Sequence, residues 1–431
     1  MSKLKYVFLF VLLTLALTLA ACQPAEVEET TPPGGEEPTG DNELEIFSWW
    51  TAGGEAEGLN AMFDVYKSMY PDVEIINATV AGGAGTNAKA VLATRLQGGD
   101  PPDSFQVHAG LEVLKYEPDT YLQPIDDLFD ASVFPADLLE LLEYDGHYWS
   151  MPVNIHRSNV LWYNPALLEA NDVEVPTTME EFFAACETLD AAGVIPVAMG
   201  TNEGWEAAHV FEGFLAASFG ADDYNGLWTG DVPWSDERVT GALENFQTMM
   251  QYVNEDHPAL TWDAAGQYLI DDQAAFMIMG DWAAGWFASK GYADFGWAPT
   301  PGTGGIFVAL SDAFSLPQNA PNEENAIAWL EVCGSKEGQE AFNPKKGSIC
   351  ARTDCDPAAF EAVPETYDYL ISAADDWSSD SIVPSIVHGA ATIESWATDF
   401  KDVMTLFVTS GDIEGTQQSL GQLCVDAGVC E

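Results

Sequence analysis

An α/β fold with a mainly parallel sheet follows from three features of the first hundred or so folded residues. β-rich runs alternate with helix-patterned runs, turn residues separate them, and aromatic and imidazole groups gather at the ends of the β-rich runs. Leu44-Glu45-Ile46-Phe47-Ser48-Trp49-Trp50 opens the domain as a strand. Over residues 55–70, Leu59, Met62, Phe63, Tyr66 and Met69 recur at helical spacing. Residues 73–80 are β-branched again, residues 87–96 are helical, and Gly98-Gly99-Asp100-Pro101-Pro102-Asp103 turns the chain into a strand over residues 104–108. In sheets of this kind, ligands bind beyond the carboxyl ends of the strands. Trp49-Trp50 and Gln106-Val107-His108 occupy those ends and mark a site.

A second lobe is expected to begin near Met151-Pro152-Val153-Asn154. Within it, Thr177 or Thr178 caps a helix, since each has a glutamate three residues on, as a capping box requires. That helix runs through Phe182, Phe183, Cys186 and Leu189, and residues 195–199 form the next strand. No internal repeat at a fixed period is visible.

Before the first strand, Lys3 and Lys5 precede an apolar run that ends in Leu19-Ala20-Ala21-Cys22. This is the pattern at which an export signal is cut before a lipidated cysteine. The competing reading, a retained transmembrane helix, needs about 20 apolar residues, and the run is shorter. Residues 1–21 therefore read as a signal peptide, and residues 22–43 as lipidated Cys22 with a flexible tether rich in Pro, Gly and Glu. The lipid is the expected contact with the membrane, on its outer face or in the periplasm.

The charge is extreme, with 14 basic against 69 acidic residues and a net charge of −55. Nucleic acid is excluded as a natural partner, because phosphate binding needs clustered Lys and Arg. Polyanionic ligands are disfavoured for the same reason. Solubility explains such acidity most simply; adaptation to high salt is the sharper alternative.

Of seven cysteines, Cys22 is assigned to lipid. Cys350 with Cys355, and Cys424 with Cys430, are close enough in sequence for short-loop disulfides after export. Cys186 and Cys333 read as buried thiols. No Cys and His spacing resembles a zinc site, so neither metal nor cofactor is expected.

Tyr144-Asp145-Gly146-His147-Tyr148-Trp149-Ser150-Met151-Pro152-Val153 resembles the strand and hinge segment of family 1 extracellular solute-binding proteins, the maltose-binding-protein-like receptors. The resemblance continues through Leu161-Trp162-Tyr163-Asn164, the helix start at residues 175–182, residues 273–282 and Ala326-Ile327-Ala328-Trp329-Leu330. Together these stretches cover nearly all of residues 44–431. Within the family, the chain looks most like glucose- and galactose-binding receptors. The shared stretches include residues 99–110, 154–159 and 280–285, Leu310-Ser311-Asp312, Lys346-Gly347-Ser348-Ile349 and Val387-His388-Gly389-Ala390. It departs in its cysteine pairs, its acidity and one extra residue between Trp50 and Glu55.

The resemblance implies a type II periplasmic-binding-protein-like fold, two α/β lobes joined by crossover hinge segments. Each lobe is then discontinuous, residues 44–153 with 309–343 and residues 154–308 with 344–431. It also implies a monomer that binds a small neutral sugar and hands it to the permease subunits of an ABC importer. Glu55, Gln106, His108, Asp312, Lys346 and His388 are carried over as groups around the sugar's edge.

A pyranose suits these residue types. Its C–H faces accept an aromatic ring, while its hydroxyl rim needs acceptors and donors. Trp49, Trp50, Trp262 and Trp282 are the stacking candidates among 14 tryptophans; core packing is the competing role for each. Trp205, Trp228 and Trp297 read as core, with Trp205 within reach of the cleft. Asp312 ends a short apolar strand, Lys346 precedes a turn glycine, and Asp281 adjoins Trp282. A solvated pair with Lys345 competes for Lys346, and satisfied burial competes for both histidines. Asn154, His156 and Arg157 fall on the crossover strand, where ligand contact and hinge support both remain open.

Three classes of function compete. The receptor closes on a monosaccharide, glucose or galactose, or on an oligosaccharide. A secreted glycosidase would use Glu55 and Asp312 as its carboxyl pair, but no second general-acid motif accompanies them. A surface adhesin would need the repeats and long stalk that this chain lacks.

Overall fold

Leu44, Ile46 and Phe47 are buried while Glu43 and Glu45 stay partly exposed, the burial pattern of a sheet strand near the surface. In the computed structural model this strand is β1 (Glu43–Phe47), and the structure describes residues 42–430. The expected signal peptide, Cys22 and the tether to residue 41 lie outside the described residues.

The further strands are β2 (Glu74–Asn77), β3 (Ser104–His108), β4 (Leu122–Gln123), β5 (Ser150–Pro152), β6 (His156–Arg157) and β7 (Val160–Tyr163). They continue with β8 (Ile195–Val197), β9 (Ala274–Ile278), β10 (Gly296–Pro299), β11 (Ile306–Leu310), β12 (Asp312–Pro317) and β13 (Ser381–Pro384). The first sheet has the order β2-β1-β3-β12-β4, with β5 also paired to β12. β1 runs parallel to β2 and β3, whereas β12 is antiparallel to β3 with Asp312 opposite His108. A second sheet is β8-β9-β7-β10 and a third is β13-β11-β6. The molecule thus has two α/β lobes, one around the first sheet and one around the other two. The chain passes between them from β5 to β6 and returns from β11 to β12.

Helix α1 (Gly53–Met69) buries Leu59, Met62, Phe63 and Tyr66, the stripe expected from their spacing. Met69, at the end of the stripe, is half exposed because the helix finishes there. Helix α2 (Thr86–Gly98) connects β2 to β3. Helix α3 (Met179–Ala191) starts at Thr178, whose hydroxyl accepts from Glu181 N–H while the Glu181 carboxylate accepts from Thr178 N–H. Of the two threonines considered, Thr178 is the cap. Four more helices shape the site: α4 (Trp205–Thr229), α5 (Trp262–Ile270), α6 (Trp282–Ser289) and α7 (Lys336–Lys346). Helix α8 (Glu394–Ser410) follows the loop after β13.

Close packing sets α1 beside α6 and α7. A Cβ added at Gly54 would overlap the Lys345 carbonyl oxygen and come within 2.7 Å of Gly285 C, so only glycine permits this approach. Disulfides join Cys350 to Cys355 and Cys424 to Cys430; Cys186 and Cys333 are buried thiols. Among the described residues, no helix is long and apolar enough to cross a membrane.

Candidate functional site

β1 ends at Phe47, so Trp49 and Trp50 lie in the loop beyond its carboxyl end, where the sheet rule places ligands. They line a cleft of about 220 Å³ together with Glu55, His108, Trp262, Trp282, Asp312, Lys346 and His388. Nine of the expected residues therefore meet around one cavity, although they come from eight separate stretches of chain.

Asp312 is the centre of the polar network. It is 2 % exposed, and its Oδ1 accepts from Gln106 Nε2 at 3.0 Å while its Oδ2 accepts from Asn154 Nδ2 at 2.9 Å. His156 Nε2 stands 3.2 Å from Oδ2, and Lys346 Nζ stands at 4.0 Å. Burial alone would raise the pKa of this carboxyl. The Lys346 ammonium and the hydrogen-bonded His156 outweigh it and hold Asp312 far below the usual carboxylate range. It is therefore a fixed anion, an acceptor for hydroxyls and a poor proton donor.

Lys346 ends α7 and is buried, which excludes a solvated pair with half-buried Lys345. Its Nζ donates to Glu55 Oε1 at 2.6 Å and lies 5.3 Å from the centre of the Trp50 ring. Trp50 also packs on Phe314 and Phe342, so its inner side belongs to the core. Its indole N–H is buried and has no partner among the described residues.

The histidines are set by carboxylates and by each other. His108 Nδ1 donates to Glu112 Oε2 at 2.6 Å, which directs Nε2 toward the Asp312 side, 3.8 Å from Oδ1. Glu112 also accepts from Lys89 at 2.6 Å; despite burial, which raises it, the Lys89 and His108 charges lower its pKa to about 2. His156 bridges Asp281 and Asp312; burial would lower its pKa, but the Asp281 carboxylate more than compensates and the net shift is upward. His388 shares a 3.2 Å hydrogen bond with His209, and burial first, then neighbouring positive groups, push it well down, so it stays neutral.

Gln106 and Asp281 do not line the cavity. Gln106 Oε1 accepts from Trp49 N–H at 3.2 Å and its amide nitrogen holds Asp312, so it ties the indole loop to the acceptor. Asp281 accepts from His156 and from Arg157 N–H, the latter at 2.9 Å, and acts one layer behind. Of the crossover residues, His156 lines the cavity, Asn154 braces Asp312, and Arg157 binds Asp376 and Asp380 away from it.

Several lining groups escaped the sequence reading: Glu203, Asp263 and Trp286, with the loop through Gly82 and Gly83. Glu203 follows β8, so the strand-end rule applied to the second lobe would have found it. Trp205 also lines the cleft and packs on Trp282 and His388 at 6.1 and 5.7 Å. Trp228 belongs to the core with Trp234 and Trp396, and Trp297 packs on Tyr369. Glu212, fully buried on α4, accepts from Ser385 Oγ, Ile386 N–H and Val387 N–H and so fixes the loop that carries His388. Its signal in the sequence is its setting, a lone charge inside the apolar run Val210-Phe211-Glu212-Gly213-Phe214-Leu215.

A family model described as bacterial extracellular solute-binding protein matches residues 43–340. An uncharacterised ABC transporter extracellular-binding protein of Pyrococcus horikoshii is 36% identical over 379 residues, covering 86% of this chain and 85% of that protein. A probable sugar-binding periplasmic protein of Brucella suis is 31% identical over 374 residues, covering 84% and 87%. Among solved structures, a bacterial solute receptor with an exclusive preference for β-D-galactopyranose superposes with a TM-score of 0.78. That match has 21% identity and covers 90% of this chain and 99% of the receptor.

Proposed function

The chain belongs to the bacterial extracellular solute-binding proteins, and from that premise we propose that it captures one neutral hexose, glucose or galactose, for an ABC importer. Members of this family bind and deliver solutes and are not enzymes, and the type II periplasmic-binding-protein fold described above is theirs. The observation that carries the sugar reading is the composition of the cleft. Indoles from both lobes face the same space as a fixed anion, a buried ammonium and three histidines. Such a set matches a ring with apolar faces and a hydroxyl rim. The names of the relatives, one a sugar-binding protein and one a galactose receptor, support it. A cavity near 220 Å³ lies below the roughly 300–1,000 Å³ of drug-sized sites, which favours one ring over a chain of rings.

In this reading, Trp49, Trp50, Trp262 and Trp282 cover the ring, and Asp312, Glu55, Lys346, His108 and His388 bond its hydroxyls. Gln106 and Asp281 position those groups. Charge-assisted hydrogen bonds to hydroxyls are worth about 1.5–3 kcal/mol each. A few of them, offset by desolvation, support dissociation constants near micromolar, about −8 kcal/mol. Residues 44–153 with 309–343, and 154–308 with 344–431, move as the two bodies, and ligand contacts from both favour the closed state. The permease reads closure as occupancy. The protein works as a monomer, held to the membrane by lipid on Cys22.

Titration calorimetry against glucose, galactose, pentoses and disaccharides tests this. The expected outcome is saturable binding of a hexose. Tighter binding of a disaccharide would make the protein an oligosaccharide receptor, and no binding of any neutral sugar would end the proposal.

A further inference from the structure

On the side of the turn that precedes α2, the two lobes touch each other directly across the cleft. Gly83, in the turn between β2 and α2 of the first lobe, donates its N–H to Glu203 Oε1 at 2.9 Å. Glu203 lies between β8 and α4 of the second lobe, and its Oε2 accepts from Trp205 Nε1 at 3.3 Å. Gly83, Glu203 and Trp205 all line the cavity, so this contact is part of its wall.

The turn is shaped for that approach. A Cβ added at Gly83 would overlap both the Glu203 carboxylate and the Trp205 indole nitrogen. Gly82 and Gly85 have φ of 146° and 74°, conformations that favour glycine, and a Cβ at Gly85 would sit 2.7 Å from Trp49 Cε3. The same turn therefore presses on a candidate stacking indole on one side and on the opposite lobe on the other. A ligand that lay over Trp49 and continued past Gly83 would have to part the hydrogen bond and push the two loops away from each other.

We infer that the Gly83–Glu203 contact is an end wall that selects ligand size, admitting one sugar ring and excluding a chain that extends on that side. The inference rests on the sugar-receptor reading above and adds a named determinant of its specificity. Trp205 holds the Glu203 carboxylate in place, and Gly83 supplies the only kind of residue that lets the wall close. Glu203 itself is half-exposed at a loop end, so its replacement leaves the core untouched.

The test is calorimetry on purified protein with glucose and galactose against maltose, cellobiose and melibiose. Discrimination by a steric wall is of the order of 10–200-fold. In Glu203→Ala the ratio of disaccharide to hexose affinity is expected to rise at least about tenfold, and in Gly83→Ala it should rise in the same direction. Glu203→Gln keeps an oxygen for the Gly83 N–H and should stay within about threefold of the parent ratio. An unchanged ratio in Glu203→Ala and Gly83→Ala, with hexose still bound, would overturn the wall. Equal weakening of hexose and disaccharide would also overturn it, since that marks a closure latch without size selection. A parent protein that binds disaccharides as well as hexoses has no such wall. If the folded parent binds none of these sugars, the receptor reading itself fails, which is a separate result.

Discussion

Lys346 Nζ meets Glu55 Oε1 at 2.6 Å, which joins the end of one helix to the first turn of the helix packed beside it, in the wall of the cleft. The partners are unequally buried, at 3% and 28% side-chain exposure, and Lys346 also stands 4.0 Å from the buried Asp312. Removing the cation leaves a buried anion without its compensating charge, whereas removing the partly exposed anion does not. Lys346→Met should therefore cost about 3 kcal/mol of stability, and Glu55→Gln less than about 1 kcal/mol. Urea unfolding of both variants measures the difference. Equal losses would contradict this account of the pair.

Acid should unfold the protein partly through Glu112. Its folded pKa of about 2 lies below the unfolded value of about 4.3, so between these values the unfolded chain binds the additional proton. The contribution is complete above the unfolded pKa, falls as pH drops toward 2, and is on the order of 3 kcal/mol. Asp312 acts in the same direction and extends the decline to lower pH. Glu112→Gln should flatten the dependence of unfolding free energy on pH between about 4.5 and 2. A slope equal to that of the parent would show that this carboxyl does not drive it.

Trp282 touches His156, His209, His388 and Trp205 with its ring, so it is both a lining residue and a support for the imidazoles. Trp282→Ala should abolish sugar-induced thermal stabilisation and cost about 3 kcal/mol in the free protein. Asp312→Ala should also abolish the sugar response. Circular dichroism checks the expected outcome that both remain folded. Retained affinity in both variants would remove the cleft as the binding site.

With 69 acidic and 14 basic residues, self-repulsion opposes the compact state. Raising the ionic strength from 0.1 to 1 M shortens the screening length from about 10 to about 3 Å. The thermal midpoint should rise by about 5 °C or more over that range, which is roughly 4 kcal/mol for a chain of this size. Differential scanning calorimetry in NaCl and KCl decides this, and a flat response would assign the acidity to solubility alone.

The sequence alone determined the alternation of strand and helix that opens the domain, with element ends placed to within a few residues. Leu59, Met62, Phe63 and Tyr66 announce a helix by spacing, and the Thr177-Thr178 pair announces another by its capping chemistry, with the structure choosing Thr178. Trp49 and His108 were legible as cleft-lining residues because one rule, ligand beyond the strand ends, needs only strand positions. Tertiary structure alone decided which polar groups face the cavity. All five residues of β3 are buried, so alternation does not tell Gln106, which braces Asp312, from His108, which lines the cleft. His156 between Asp281 and Asp312, and Gly83 against Glu203, join positions more than a hundred residues apart in sequence. Periodicity and capping are short-range and can be read along the chain; a hydrogen bond between lobes depends on how both sheets are placed, and no local pattern records that.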